Sequence, residues 1–395
     1  MTVLLSILTG LSVLYGVYYG AMAIIGLFRG RPAKETCAPT HKICAVIAAR
    51  NEENVIGQAI RSLQRQNYPA HLSGVLVAVN NSTDRTAEAA RAAGAQVLMC
   101  AGPVACKGDA LRQAFSHLLS TSDYDAFVIL DADNIAEADF FSQVDAALSR
   151  GCHVAQGYRD SKNPGDGWVA GGTSIFYWFM SSLYNRSRAN MGLSANLNGT
   201  GFMVSADLIR RIGFDTHTLT EDLEFSAQCA LAGEKIGWME HARVYDDQPL
   251  RLWDSMVQRK RWYAGSVQCL LSYFPRLVKK RTFQAADMAI LFFGNLLMPL
   301  GVVAFALSAV TLIRSLGFWG AAAAGIASGA LSAAALDIGG LLICLLEKKT
   351  FPGKARTVLL FFLYMFTWMF ANLSVYVTGF PKWRMIPHKP LEEKT

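Results

Sequence analysis

The chain has 395 residues, a formal net charge of +7 and 52% hydrophobic residues. That length exceeds one small core and allows two or three units, and the apolar content is high for a soluble domain. No long basic block or basic–aromatic patch occurs, which argues against a nucleic-acid partner, and the eight cysteines lack any Cys-x-x-Cys pair, which argues against a zinc site or a disulfide framework.

Residues 1–28 carry no charge, enough to cross a hydrocarbon core of about 30 Å, and Arg29, Arg31 and Lys34 follow at once. No positive charge precedes the stretch, so it reads as an N-terminal membrane helix and not as a cleavable signal. The positive-inside rule places residue 1 outside and residue 29 onward in the cytoplasm.

Residues 42–248 have ordinary globular composition and read as a cytoplasmic domain. Residues 43–49 are a buried strand, and 54–66 a helix with Val55, Ile56, Ala59, Ile60 and Leu63 on one stripe. Strands at 75–79, 96–99 and 126–130 alternate with helices at 86–93 and 107–119. This β-α-β-α order predicts an α/β fold with a mainly parallel sheet.

In such sheets ligands bind outside the carboxyl ends of the strands. Three of those ends are polar: Ala49-Arg50-Asn51-Glu52, Asn80-Asn81-Ser82-Thr83-Asp84 and Asp131-Ala132-Asp133. Two carboxylates two residues apart at a strand end suit Mg²⁺, which takes one or two carboxylates plus substrate phosphates. Lys107-Gly108 opens a helix, where an ammonium and free amides suit a phosphate.

Further on, the glycines of Asn198-Gly199-Thr200-Gly201-Phe202 allow close backbone approach to a ligand. Thr220-Glu221-Asp222-Leu223-Glu224 offers a carboxylate as general base. Residues 249–275 read as an amphipathic helix on the membrane surface. On it Gln258, Arg261 and Trp262 share a face. Arginine suits a diphosphate and an indole suits the C–H face of a sugar.

The remaining apolar stretches, 285–313, 317–346 and 356–380, form a C-terminal membrane region at 285–380 before a polar tail at 381–395. Asp337 within it is expensive in lipid. Two crossings return the chain to the cytoplasm at Glu347-Lys348-Lys349. A third full crossing would put Lys382, Arg384 and Lys389 outside, against the charge rule. The last apolar segment is therefore expected to be interfacial or re-entrant.

In this order the motifs resemble the membrane-integrated family 2 glycosyltransferases, which include cellulose, chitin and hyaluronan synthases. The resemblance spans about 45–265 and is strongest at Thr220-Glu221-Asp222 and Gln258 to Trp262. It implies a GT-A, Rossmann-like fold and inverting transfer from a UDP-sugar with Mg²⁺ or Mn²⁺. By the same resemblance Asp133 is the metal ligand and Asp222 the catalytic base. Asn80, Asp131 and Lys107 contact the nucleotide or its phosphates, and Glu52, Glu221 and Gln258 bind substrate. Gly199, Thr200 and Gly201 line the acceptor site, Trp262 stacks on the acceptor sugar, and Arg261 steadies the leaving diphosphate. Asn80 stands where many relatives carry Asp, so the uracil contact uses an amide. A carboxylate base at its ordinary pKa is expected to be ionised at neutral pH.

The expected activity is that of a multi-pass membrane polysaccharide synthase, processive and β-linking. It would extend a glycan acceptor and pass it through its own helices, with any export partner unspecified. The alternative is a single transfer to a lipid acceptor such as ceramide, diacylglycerol or a polyprenyl carrier. A catalytically inert transport or assembly protein is a third class, against which the acids at 131, 133 and 222 count.

Overall fold

The computed structural model describes residues 2–35 and 37–381. The expectations for Lys382, Arg384, Lys389 and the rest of the tail lie outside the described residues.

Helix α1 (Thr2–Phe28) precedes the domain. Then β1 (Ile43–Ala49), α2 (Ile56–Gln64), β2 (Ser73–Val79), α3 (Thr86–Ala92), β3 (Gln96–Met99), α4 (Lys107–Thr121) and β4 (Ala126–Leu130) alternate as the periodicity predicts. β1 pairs in parallel with both β2 and β4, and β2 with β3. These strands read as unbroken apolar runs because helices cover both faces. Ile43, Ala45 and Ile47 pack with Ile56, Ile60 and Leu63 on one side. Cys44 and Val46 pack with Leu111, Phe115 and Leu118 on the other.

The second half has weaker periodicity. It comprises β5 (Ile135–Ala136), α5 (Phe140–Ser149), β6 (Val154–Ser161) and α6 (Trp168–Phe179), followed by a π-helical stretch at Met180–Arg186 and α7 (Ser187–Asn190). Next come β7 (Phe202–Ser205), α8 (Ala206–Ile212), α9 (Glu221–Ala232) and β8 (Gly237–Asp246). The sheet has eight strands in the order β3-β2-β1-β4-β7-β6-β8-β5. β7 is antiparallel to β4 and β6, and β5 to β8. The fold is α/β and Rossmann-like, parallel over its first four strands and mixed beyond.

Helix α10 (Leu252–Lys280) covers α9. Gly265 permits the close approach, since a Cβ there would sit 2.5 Å from Thr220 Oγ1 and 2.8 Å from its backbone nitrogen. The Thr220-Glu221-Asp222 run is thereby held against the helix that carries Gln258 and Arg261.

Helix α11 (Phe283–Leu346) joins both expected stretches, 285–313 and 317–346. A straight helix of 64 residues would run about 96 Å. Yet Asp287 near its start pairs with Arg188, and Glu347 just past its end bonds Arg186 Nη1 at 2.9 Å and the Tyr158 hydroxyl at 2.8 Å. The helix doubles back at Gly317, whose φ of 70° breaks the helical path. Both ends therefore meet the α/β domain, and Arg31 at the foot of α1 joins them, 3.1 Å from Glu347.

The last apolar segment is split into α12 (Lys354–Leu359) and α13 (Phe361–Thr378). Asp337 has its explanation here: its Oδ1 accepts the Phe362 N–H at 2.8 Å, satisfying one of the amide donors that a helix start leaves open. α13 lies along α10, through Tyr376 to Tyr263 at 2.8 Å between hydroxyls and Thr378 to Lys260. Among the described residues three helices, α1, α11 and α13, are long and apolar enough to cross a membrane.

Candidate active site

The carboxyl ends of β1, β2 and β4 open onto a cavity of about 1500 Å³. Its wall brings together Glu52, Asn80, Lys107, Asp131, Asp133, Gly199, Glu221, Asp222, Gln258, Arg261 and Trp262. It does not include Thr200 or Gly201. The Thr200 hydroxyl is fully buried, bonds Asn134 and accepts the Asp131 N–H at 3.1 Å. A Cβ on Gly201 would press on Val244 at 2.6 Å. Those two residues pack the loop beneath the site; Asn198 and Gly199 form its surface.

Lys107 begins α4, and its ammonium reaches Asp131 Oδ1 at 2.5 Å and the Gly199 carbonyl at 2.7 Å. Glu221 lies 3.4 Å away. Gly199 has φ 80°, a conformation that glycine adopts without strain. Burial alone would raise the Asp131 pKa, but the Lys107 charge, with Arg159 and Arg261, outweighs it and holds the carboxyl below its usual range.

The acids farther along this edge behave oppositely. Burial first, then the charges of Asp133, Asp131 and Asp84, pushes Glu52 up to about 8. Burial, with Asp133 and Asp131 working against Arg159, pushes Asp246 up to about 7. Asp133 is buried and accepts the Asp247 N–H and the Asn134 amide, each at 3.2 Å. Among the described residues no group of three His, Cys, Asp or Glu side chains forms a metal cage. Hard oxygen donors with crowded negative charge nevertheless fit a divalent cation that takes its remaining ligands from a diphosphate.

Asp222 differs from expectation. Burial first, and the neighbouring Glu221 charge second, push its carboxyl up to about 7, against the Leu223 N–H, Lys107 and Arg159. It is therefore not an ordinary carboxylate fully ionised at neutral pH. A carboxyl poised there suits a general base. Its Oδ1 accepts the Leu223 N–H at 2.8 Å.

The polar residues of α10 divide by face. Arg261 and Gln258 line the cavity, while Arg259 is fully buried, bonds the Tyr364 carbonyl at 3.2 Å and lies 4.6 Å from the centre of the Tyr364 ring. Trp262 sits in an aromatic wall, 6.0 Å from Tyr177 and 6.1 Å from Trp368 between ring centres.

Arg159 escaped the sequence reading. It bonds Asp246 Oδ2 at 2.7 Å and the Asn198 carbonyl at 2.7 Å, and it stacks 3.9 Å over Tyr177. Its strand, Val154–Ser161, is buried throughout, but Gln156, Arg159 and Asp160 conceal that from any hydropathy pattern. Asp246 ends β8 beside it, Asp247 follows, and neither gave a motif.

Residues 39–265 match the family described as Glycosyltransferase like family 2. A beta-monoglucosyldiacylglycerol synthase of Synechocystis sp. is 25% identical over 248 residues, covering 60% of this chain and 50% of that protein. Its namesake from Nostoc sp. is 24% identical over 325 residues, covering 77% and 66%. The chain thus spans about half to two thirds of the length of these relatives. Among solved structures, the mannosyltransferase PcManGT from Pyrobaculum calidifontis, in complex with GDP-Man and Mn²⁺, superposes with a TM-score of 0.61 at 17% identity, covering 93% of this chain and 99% of that one. That likeness establishes the GT-A fold.

Proposed function

As the chain belongs to the glycosyltransferase like family 2, we propose that it transfers a single sugar from a UDP-sugar to a hydroxyl of a membrane lipid, with inversion. The observation that carries this reading is the course of the cavity. It runs from the acids at the strand ends, past Asp222, to Tyr15 of α1, Asn295 of α11 and Trp368 of α13. The relatives named beta-monoglucosyldiacylglycerol synthases weigh for a lipid acceptor over the growing glycan of a processive synthase.

In this reading Asp222 takes the proton of the acceptor hydroxyl as its oxygen attacks the anomeric carbon in line. The bond from that carbon to the diphosphate oxygen breaks, and UDP leaves with the electron pair. Arg261 faces the charge that develops on the leaving group, and Lys107, fixed between Asp131 and Gly199, orients the diphosphate. Asp133 would hold Mg²⁺ or Mn²⁺, which neutralises diphosphate charge when bound. Asn80 reads the base. PcManGT carries GDP-Man, so base choice is itself a test: UDP is expected to bind more tightly than GDP, and Asn80→Ala to narrow the difference.

The catalytic domain faces the cytoplasm, α11 crosses and returns, and α13 lies at the interface beside α10. Incubating the purified protein with labelled UDP-sugars, Mn²⁺ and lipid micelles tests the activity. A label moving into the organic phase supports the reading.

A further inference from the structure

Two contacts fix the register of α1 against α11. The Tyr18 hydroxyl donates to Asp287 Oδ1 at 2.8 Å, and Gly294 leaves no room for a Cβ beside the Tyr15 hydroxyl. The two helices are therefore antiparallel. Phe283, one turn before Asp287, stands level with Met22, one turn after Tyr18. From Thr2 to Met22 α1 rises about 30 Å, which is the thickness of a hydrocarbon core. With α1 and α11 as crossings, the leaflet boundary on the domain side runs past Met22 and Phe283, where α10 gives way to α11.

The last turns of α10 lie at that plane. Their inner face, Leu270, Tyr273 and Leu277, is buried against Ala227 and Ala230 of α9 and Met288 of α11. Their outer face is uncovered. Leu271, Pro275 and Val278, spaced i, i+4 and i+7, form an exposed apolar stripe, which Phe283 continues. Leu271 is 68% exposed and Phe283 65%. Arg276, Lys279, Lys280 and Arg281 are exposed beside the stripe. Elsewhere on the domain, Arg112, Arg210 and Arg211 pair with Asp215, Asp207 and Glu234. Among the described residues the four cations of α10 have no acidic partner.

A neutral lipid surface would cover the stripe and leave the four charges repelling one another. A negatively charged leaflet covers the stripe and pairs the charges as well. An acidic protein would have to displace lipid from a helix that is tied to a membrane crossing only two residues beyond its end.

We infer that the last two turns of α10 are a binding surface for the anionic phospholipid head groups of the adjacent leaflet. This rests on α1 and α11 crossing the bilayer, as in the reading above, and is independent of the acceptor. The helix that carries Gln258 and Arg261 is thereby held at its far end by lipid charge.

The test places the full chain in nanodiscs of phosphatidylcholine, alone or with about 30% phosphatidylglycerol. Amide hydrogen exchange is followed for wild type and for the triple variant Arg276→Gln, Lys279→Gln, Lys280→Gln, with UDP affinity as a check on folding. The expected result at low salt is exchange about tenfold slower over residues 272–281 when phosphatidylglycerol is present. The slowing is lost at about 0.5 M salt and in the variant, whose UDP affinity stays within about twofold of wild type. Equal exchange in both kinds of disc, or slowing that persists in the variant, overturns this inference and leaves the crossings standing. A wild-type chain that stays out of the discs and is soluble without detergent overturns the crossings and this inference with them.

Discussion

The Lys107 ammonium sits 2.5 Å from Asp131 and 3.4 Å from Glu221, bridging the donor edge of the sheet to the start of the helix that carries the proposed base. Without that cation the buried acids of the two elements would face one another unrelieved. Lys107→Met is expected to lower kcat/KM at least about a hundredfold, through both weaker UDP binding and slower transfer. Wild-type UDP affinity in that variant would contradict its place at the diphosphate.

Asp222→Asn is expected to cut transfer by about a hundredfold to ten-thousandfold while UDP affinity measured by calorimetry stays within about twofold. Retained turnover would remove Asp222 as base.

The raised pKa of Asp222, at about 7, sets a pH dependence. The base works only when ionised, so log kcat/KM is expected to climb with unit slope below about pH 7 and to level off above it. The same shift bears on stability. The folded state holds this proton more tightly than the unfolded chain, so stability falls as pH rises from the ordinary carboxyl range through the folded pKa. Asp222→Asn should therefore raise Tm more at pH 8 than at pH 5. Equal effects at both pH values would contradict the assignment.

Asp133→Asn is expected to raise the Mn²⁺ concentration for half-maximal activity about tenfold or more, and to weaken UDP binding only when Mn²⁺ is present. Metal-independent loss of UDP affinity would point to a structural role.

Asp337 caps α13 through the Phe362 N–H. Asp337→Leu should lower Tm by about 2 °C, the order expected for one lost cap, whereas Asp337→Asn keeps the accepting oxygen and most of the stability. Equal losses in the two variants would argue that charge, and not capping, is what matters there.

Because α11 reverses at Gly317 with both ends at the domain, a membrane-impermeant maleimide on intact cells should label Ser315→Cys and spare Lys348→Cys. The opposite pattern would invert the proposed topology.

Much of the donor edge was legible in the sequence, because continuous apolar strands ending in Glu52, Asn80 and Asp131 follow from a sheet covered on both faces. Other parts were not. Arg159 and Asp246 sit on strands buried by long-range packing, and hydropathy does not report a charged residue that is buried in a pair. Thr200 and Gly201 looked like ligand contacts because glycine-rich loops serve close packing and ligand approach alike; only the positions of Asn134 and Val244 separate the two uses. Asp337 looked like a cost in lipid until Phe362 appeared beside it. The ionisation of Asp222 depends on burial and on Glu221, neither of which a motif encodes.

The most direct measurement of the central claim is product analysis with the purified full chain, labelled UDP-sugar, Mn²⁺ and dioleoylglycerol micelles. Single-sugar transfer predicts a chloroform-soluble product that carries one sugar per lipid and is absent with Asp222→Asn. A water-soluble or insoluble polymer of many sugars, with no labelled lipid, would contradict it.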